Sequence, residues 1–101
     1  MQEYELYVPL CDNEGREIDP ALLSSLKVRL RDRFGGFTYF PQEGEGEWKT
    51  GGQTFRDRIV ILRVLSSDDD SGDWFRALKT ELIEQYSQSD FLITSREVEK
   101  L

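Results

Sequence analysis

The sequence predicts an α+β fold of the ferredoxin-like kind, in which a four-stranded antiparallel sheet carries two helices on one face. The predicted elements follow the order strand, helix, strand, strand, helix, strand, and right-handed crossovers make this βαββαβ sandwich the simplest arrangement for that order. A chain of 101 residues supplies one hydrophobic core, because a domain this small buries only about two thirds of its unfolded-chain surface. We therefore expect residues 1–101 to form a single domain.

Alternation and capping residues predict the first strand and the first helix. Residues 3–9 alternate between apolar and polar side chains, as a half-buried strand does. A helix is expected over residues 20–34, because Asp19 suits the N-cap and Pro20 suits the first helical position. Gly35 can then adopt the left-handed conformation that ends a helix.

A β-hairpin is predicted in the middle of the chain. Residues 37–40 are strand formers, and after a proline residues 42–46 indicate an irregular excursion or bulge. A second strand piece over 47–50 leads into residues 51–52, both Gly, which suit a two-residue hairpin turn. A long strand over 53–65 follows this turn.

The last third predicts a loop, a helix and a short strand. Residues 66–73 are polar and acidic, an apolar stripe places a helix at 72–87, and residues 91–94 form the final strand. The carboxylates at 68–73 do not have the spacing of a calcium-binding loop, so we expect them to cap the helix N-terminus. No metal site and no cofactor is expected.

The long strand predicts that both faces of the sheet are covered. Its centre, from Ile59 to Leu62, is apolar on both sides, and the two helices cover only one of them. A homodimer or a protein partner docked on the open sheet face would cover the other. The alternative is that the C-terminal tail, the 41–46 loop or a few scattered exposed apolar residues suffice.

Composition and charge exclude several classes of function. The chain has no His, a single Cys and a formal net charge of −7. Triads based on His and zinc sites of Cys and His are therefore excluded. No apolar run is long enough to span a membrane and no leader is evident, so we expect a cytoplasmic protein without a membrane partner. The negative charge disfavours nucleic acid, although residues 33–40 share part of a signature of RNA-recognition motifs.

The candidate binding residues surround the predicted hairpin, and no catalytic residue is assigned. Asp57 is the most informative of them, because it is a carboxylate in an otherwise apolar strand on the same face as Ile59 and Ile61. If buried, it would have a perturbed pKa and could act as a base. The alternative is that Asp57 pairs with Arg56, Arg58 or a backbone N–H. The full candidate set is Tyr7, Tyr39, Glu47, Trp48, Arg56 and Asp57.

Two short segments resemble a known kind of protein. The strand ELYVPL at 5–10 and the segment FGGFT at 34–38, followed by Trp48 and Asp57, resemble small uncharacterised prokaryotic proteins of the domain-of-unknown-function kind. The resemblance covers about residues 4–65. It implies an α+β fold and transfers no activity and no catalytic residue.

These observations favour one function and leave two alternatives. The leading expectation is a non-enzymatic protein-interaction or regulatory module that uses its sheet face, with acidic loops that favour basic partners. The first alternative is a small-molecule-binding protein or enzyme of the dimeric ferredoxin-like type, with a pocket lined by Tyr7, Tyr39, Trp48 and Asp57. The second is single-stranded nucleic-acid binding.

Overall fold

The predicted order of elements is confirmed by a computed structural model. It describes the backbone of residues 1–101 and every side chain except those of Trp48 and Thr50. The elements are β1 (Gln2–Pro9), α1 (Pro20–Phe34), β2 (Thr38–Thr50), β3 (Gln53–Ser66), α2 (Ser71–Gln85) and β4 (Ile93–Glu97). The fold is therefore ferredoxin-like, and the predicted bounds of α1 match those of the structure. The last strand differs most, because it begins at Ile93 and runs to Glu97.

The four strands form one antiparallel sheet in the order β2-β3-β1-β4. The two central strands, β1 and β3, pair along their lengths, with Leu6 opposite Leu62. Both side chains are fully buried on the face that the helices cover. The β2–β3 hairpin continues beyond the end of β1 and forms a projecting arm of the sheet.

The irregular stretch predicted in β2 is a register slip within one continuous strand. Phe40 pairs with Ile61 and Gly44 pairs with Ile59, so β2 carries two more residues than β3 across this step. Pro41 has no N–H to donate, which is consistent with an interruption of the ladder at this point. The register is regular again from Gly44 to the turn.

The predicted capping residues close α1 at both ends. The Asp19 side chain accepts a hydrogen bond of 2.9 Å from the Ala21 N–H. Gly35 has a φ of +83°, and its N–H donates to the Arg31 carbonyl at 2.8 Å. A left-handed φ of this kind favours glycine, so the helix ends where the sequence predicts.

The acidic residues before α2 act differently from the prediction. Asp70 occupies the N-cap position of α2, but its side chain makes no capping hydrogen bond. Asp68 and Asp70 instead accept hydrogen bonds of 3.0 Å each from Arg33 at the end of α1. Only Asp73 lies in the first turn of the helix. This loop therefore joins the two helices through an ion pair more than it caps α2.

The two faces of the sheet are covered in different ways. The helix face holds the buried hydrophobic core, which consists of Tyr4, Leu6, Val8, Leu26, Leu30, Val60, Leu62, Val64, Phe75, Leu78, Leu82, Tyr86 and Phe91. On the open face the Glu3 carboxylate is buried, accepts a hydrogen bond of 3.0 Å from Arg96 Nε, and lies 3.4 Å from Arg63 Nε. Charged side chains thus cover part of the open face, while Phe40 and Leu65 remain exposed there.

Candidate functional site

A cleft of about 650 Å³ lies between the β1–α1 connection and the projecting β2–β3 hairpin. We call it the acidic cleft, because carboxylates outnumber guanidinium groups in its lining. Its charged side chains are Asp12, Glu45, Glu47, Arg56, Asp57 and Arg58. Three of the residues predicted from the sequence, Glu47, Arg56 and Asp57, are therefore brought together.

The β1–α1 connection forms one wall of the acidic cleft through a tight turn. The Leu10 N–H donates to the Arg58 carbonyl at 2.9 Å and thereby ties the start of the connection to β3. The Asp12 carboxylate then accepts hydrogen bonds of 2.9 Å from the N–H groups of Glu14 and Arg16. These bonds, above all the one from the Arg16 backbone, lower the pKa of Asp12. The wall is thus fixed by its own backbone and keeps a negative charge.

Asp57 is a buried carboxylate within the cleft lining. Its residue surface is 7% exposed, and burial raises its pKa above the ordinary value of 3.8. Within the part of the chain whose side chains are described, no hydrogen bond and no ion pair reaches this carboxylate. Its partner across the ladder is Gly46, which has no side chain to offer. The carboxylate oxygens are not fully shielded from solvent, so this largely buried and unpaired group is open to the cleft.

The neighbouring arginines do not pair with this carboxylate. Arg56 Nε lies 3.4 Å from the Glu47 carboxylate, and Arg58 makes two hydrogen bonds, of 2.7 and 2.9 Å, to Glu43. The sequence-based alternative that Asp57 pairs with Arg56 or Arg58 is therefore wrong. The reason is the register of the hairpin, which places a glutamate opposite or close to each arginine.

The two predicted tyrosines lie away from the acidic cleft. Tyr7 pairs with Ile61 and Tyr39 pairs with Leu62, so the two rings lie on opposite faces of the sheet. Lys27 Nζ lies 3.6 Å from the centroid of the Tyr39 ring. The predicted pocket that joined both tyrosines to Asp57 is therefore not formed as a single site. The predicted contribution of Trp48 lies outside the described side chains.

Asp12, Glu45 and Arg58 are cleft residues that the sequence-based prediction did not include. Their positions depend on the β1–α1 connection folding back beside β3, which is a contact between distant parts of the chain. The connection itself is polar and contains Asn13 and Gly15, which is typical of a loop and does not specify where the loop packs.

A second cavity of about 670 Å³ lies at the other end of the central strands. Two acidic residues, Asp68 and Asp69, and two basic residues, Arg76 and Lys79, contribute to its lining. The two basic groups are already paired, Arg76 with Asp73 at 2.9 Å and Lys79 with Asp90 at 3.0 Å. This cavity therefore lacks an unpaired buried charge comparable to Asp57.

The described residues contain no group of three or more His, Cys, Asp or Glu side chains placed to hold a metal ion. No helix among them is long and apolar enough to cross a membrane.

Comparison with known proteins identifies similar solved structures. No protein-family model and no curated protein matches this sequence. The chain is similar to a phage SAM lyase in complex with S-methyl-5'-thioadenosine, with a TM-score of 0.64 and 21% identity over 95% of this chain and 80% of that one. It is also similar to a phage SAM lyase in the apo state, with a TM-score of 0.67 and 19% identity over 95% and 79% of the two chains. These likenesses agree with the ferredoxin-like fold.

The comparison corrects the leading functional expectation from the sequence. A non-enzymatic interaction or regulatory module was expected, yet the two solved structures described above, which share this fold over 95% of the chain, are of an enzyme. The alternative expectation, a small-molecule-binding protein or enzyme of the ferredoxin-like type, agrees better with this finding. The versatility of the fold explains the error, since a sequence pattern that specifies the fold does not specify its use.

Proposed function

We propose that this protein is an enzyme that binds S-adenosylmethionine (SAM), or a closely related sulfonium nucleoside, in the acidic cleft and cleaves it to a thioether nucleoside. The observation that carries the proposal is the buried, unpaired carboxylate of Asp57 in a cleft of net negative charge. The similarity to a phage SAM lyase over 95% of the chain supports the choice of substrate.

Charge favours a cationic ligand in this cleft. A sulfonium group carries a permanent positive charge, and its attraction to a carboxylate is strongest where water is largely excluded. Arg56 and Arg58 are each engaged by a glutamate, which leaves Asp57 and the exposed Glu45 as cleft carboxylates without an ion pair among the described side chains. Binding a sulfonium group beside Asp57 would satisfy the group that folding leaves unpaired.

The size of the cleft also agrees with a nucleoside-sized ligand. Its volume of about 650 Å³ lies inside the range of about 300–1,000 Å³ that is typical of small-molecule sites. Two separate elements line the cleft, the β1–α1 connection and the hairpin arm. Clefts between structural elements commonly hold ligands.

The proposed reaction breaks the bond between the sulfonium sulfur and the four-carbon amino-acid group of SAM. The electron pair of that bond stays on sulfur, so the charged sulfonium becomes neutral S-methyl-5'-thioadenosine. The carbon fragment then needs an electron pair, which either its own carboxylate supplies or a C–H bond supplies when a base removes the proton. Asp57 suits the second route. Burial raises its pKa, and a higher pKa makes a carboxylate a more effective base.

The direct test is to incubate the purified protein with SAM and to measure S-methyl-5'-thioadenosine by liquid chromatography and mass spectrometry. We expect product formation by the wild type and a loss of at least about tenfold in Asp57→Asn. Asp32→Asn is the matched control, because it removes an exposed carboxylate from the outer surface of α1. Binding without product would overturn the cleavage step. The absence of both binding and product would overturn the proposal as a whole.

Self-association through the open sheet face is a separate proposal. Exposed Phe40 and Leu65 and half-buried Tyr7, Ile59 and Ile61 support it, since such side chains favour burial against a partner. Native mass spectrometry of the wild type and of Phe40→Glu tests it, with an oligomer expected for the first and a monomer for the second.

The cytoplasm is the proposed location. The chain has a single cysteine, Cys11, and therefore no internal disulfide, as is usual for proteins of that reducing compartment.

A further inference from the structure

Glycine alternates with glutamate in the part of β2 that forms the hairpin arm. From Glu43 to Glu47 the sequence is EGEGE, and successive side chains of a strand point to opposite faces of the sheet. The glutamates at the two ends of this run pair with arginines of β3. Gly44 and Gly46 therefore share the other face, and each of them leaves a gap of one side chain there.

The backbone accounts for one of these two glycines and not for the other. Gly44 directly follows the register slip of β2, and irregularities of this kind commonly carry a glycine. Gly46 lies within the regular ladder and has the extended backbone that alanine also adopts. Glycine weakens a strand at such a position, and it often marks a place where a ligand approaches closely.

Gly46 lies directly opposite Asp57 in the ladder. The Cβ atoms of directly opposite residues are about 4.5–5.5 Å apart on the same face, so a side chain at position 46 would stand beside the Asp57 carboxylate. Both residues contribute to the lining of the acidic cleft. The missing side chain therefore leaves a small space that is open to the cleft and lies next to a carboxylate without an ion pair among the described side chains.

We infer that Gly46 is a specificity residue of the acidic cleft, because the space left by its missing side chain receives the S-methyl group of the sulfonium substrate. Methyl is the smallest of the three groups on the sulfonium sulfur of SAM, and the two larger groups need the remaining volume of the cleft. The methyl group also carries part of the positive charge, which the adjacent carboxylate attracts. The inference rests on the proposed function, since it places one group of the same substrate in the same cleft. The site then selects a methylated sulfonium over a neutral thioether.

The test compares SAM with S-adenosylhomocysteine by isothermal titration calorimetry at low temperature, where turnover during the titration is small. S-adenosylhomocysteine has the same nucleoside and amino-acid groups, but it is a neutral thioether without the S-methyl group. We expect the wild type to bind SAM at least about tenfold more tightly. In Gly46→Ala the added methyl group fills the space beside Asp57. The Kd for SAM should therefore rise about tenfold, while the Kd for S-adenosylhomocysteine changes by less than about twofold.

Gly44→Ala is the matched control, because it adds the same methyl group to the same face of the same strand. A Cβ at Gly44 would lie 3.6 Å from the Ile59 side chain, an ordinary contact, and neither residue belongs to the lining of the cleft. We expect this control to leave both dissociation constants unchanged. Thermal denaturation should give both variants an unchanged or higher Tm, since alanine restricts the unfolded chain more than glycine does.

Three results would overturn the role of Gly46 while the proposed function stands. These are equal affinity of the wild type for the two ligands, equal weakening of both ligands in Gly46→Ala, and no weakening of SAM in that variant. The first of them needs no variant, so it tests the inference even if Gly46→Ala lowers the Tm. If the wild type binds neither ligand, the proposed function fails and the inference fails with it.

Discussion

The two ends of the central strands differ in how their buried polar groups are satisfied. At the end where α2 begins, the buried hydroxyls of Ser66 and Ser71 are 2.6 Å apart and satisfy each other. At the end beside the hairpin arm, the Tyr86 hydroxyl is fully buried and Asp57 is 7% exposed, and neither side chain has a partner among the described side chains. On the open face, Arg63 Nε is also buried without a hydrogen bond, but it lies 3.4 Å from the Glu3 carboxylate and so has an ionic partner.

This difference indicates that stability and ligand binding are served by different parts of the chain. The helix-covered core supplies most of the apolar burial that stabilises the fold. The hairpin end contains the acidic cleft and the unpartnered Tyr86 hydroxyl, and such unpaired groups destabilise the free protein. Functional sites commonly carry such a local cost, because the groups are arranged for a ligand and not for the apo state.

The largest expected effect is the loss of core packing in Leu62→Ala. Leu62 is 0% exposed at the centre of β3, so its truncation leaves a cavity and lowers the free energy of unfolding by about 2–5 kcal/mol. Leu65→Ala is the control on the same strand, because Leu65 is 46% exposed on the open face. Urea denaturation measures both variants, and similar values for the two would break the distinction between covered and open faces.

A smaller effect is expected at the satisfied hydroxyl pair. Ser71→Ala removes one of two partners of the buried Ser66 hydroxyl, whose oxygen also accepts a hydrogen bond of 3.1 Å from the Asp68 N–H, and lowers the free energy of unfolding by about 1 kcal/mol. The exposed Ser67 provides the control, and Ser67→Ala should change stability by less than about 0.5 kcal/mol. If Ser71→Ala left the free energy of unfolding unchanged or raised it, the hydroxyl pair would not stabilise the fold, and the contrast with the hairpin end would be lost.

Unlike Leu62→Ala and Ser71→Ala, Asp57→Asn is expected to raise the free energy of unfolding. The size of the increase should depend on pH. Folding raises the pKa of Asp57 above 3.8, so the folded state favours the protonated form and is destabilised as pH rises through the folded-state pKa. At neutral pH the asparagine variant should be more stable by about 0.5–1 kcal/mol. This gain should disappear below the ordinary pKa, where the wild type is also neutral. Chemical denaturation from pH 3 to pH 7 measures the effect, and a destabilised variant would indicate a structural role for the carboxylate.

The smallest effect is expected at the exposed ion pair of the hairpin. The Arg56 and Glu47 side chains are 3.4 Å apart but largely exposed, so water and salt screen their attraction. Arg56→Gln should lower the free energy of unfolding by less than about 0.5 kcal/mol, and added salt should reduce the difference further. A loss above 1 kcal/mol in thermal or urea denaturation would show that the hairpin arm contributes more to stability than its exposure indicates.

The sequence predicted local features of the fold better than contacts between distant residues. Asp19, Gly35 and the two glycines of the hairpin turn act within a few residues of themselves, and each has the predicted role. The burial of Asp57 followed from alternation along one strand. The ion pairs of Arg58 and Arg33 could not be predicted in the same way, because each depends on a partner brought close by the tertiary fold.

The candidate site shows the same limit. Three of the six predicted residues line the acidic cleft, since they lie close together in one hairpin. Tyr7 and Tyr39 were grouped with them because their strands neighbour β3, but pairing with consecutive residues of β3 places them on opposite faces. Tyr86 lies within the apolar stripe that predicts a helix over 72–87, and that pattern by itself indicates a core residue. Its buried hydroxyl without a partner becomes evident only when the surrounding atoms are known.

Changes in chain length should be tolerated unequally along β2. Within a regular ladder, an insertion of one residue turns every following side chain to the other face of the sheet. The slip between Phe40 and Gly44 already accommodates two additional residues without disturbing the pairing on either side. Residues 41–43 are therefore the natural place to lengthen or shorten the hairpin arm, and so to reshape one wall of the cleft while the core keeps its register.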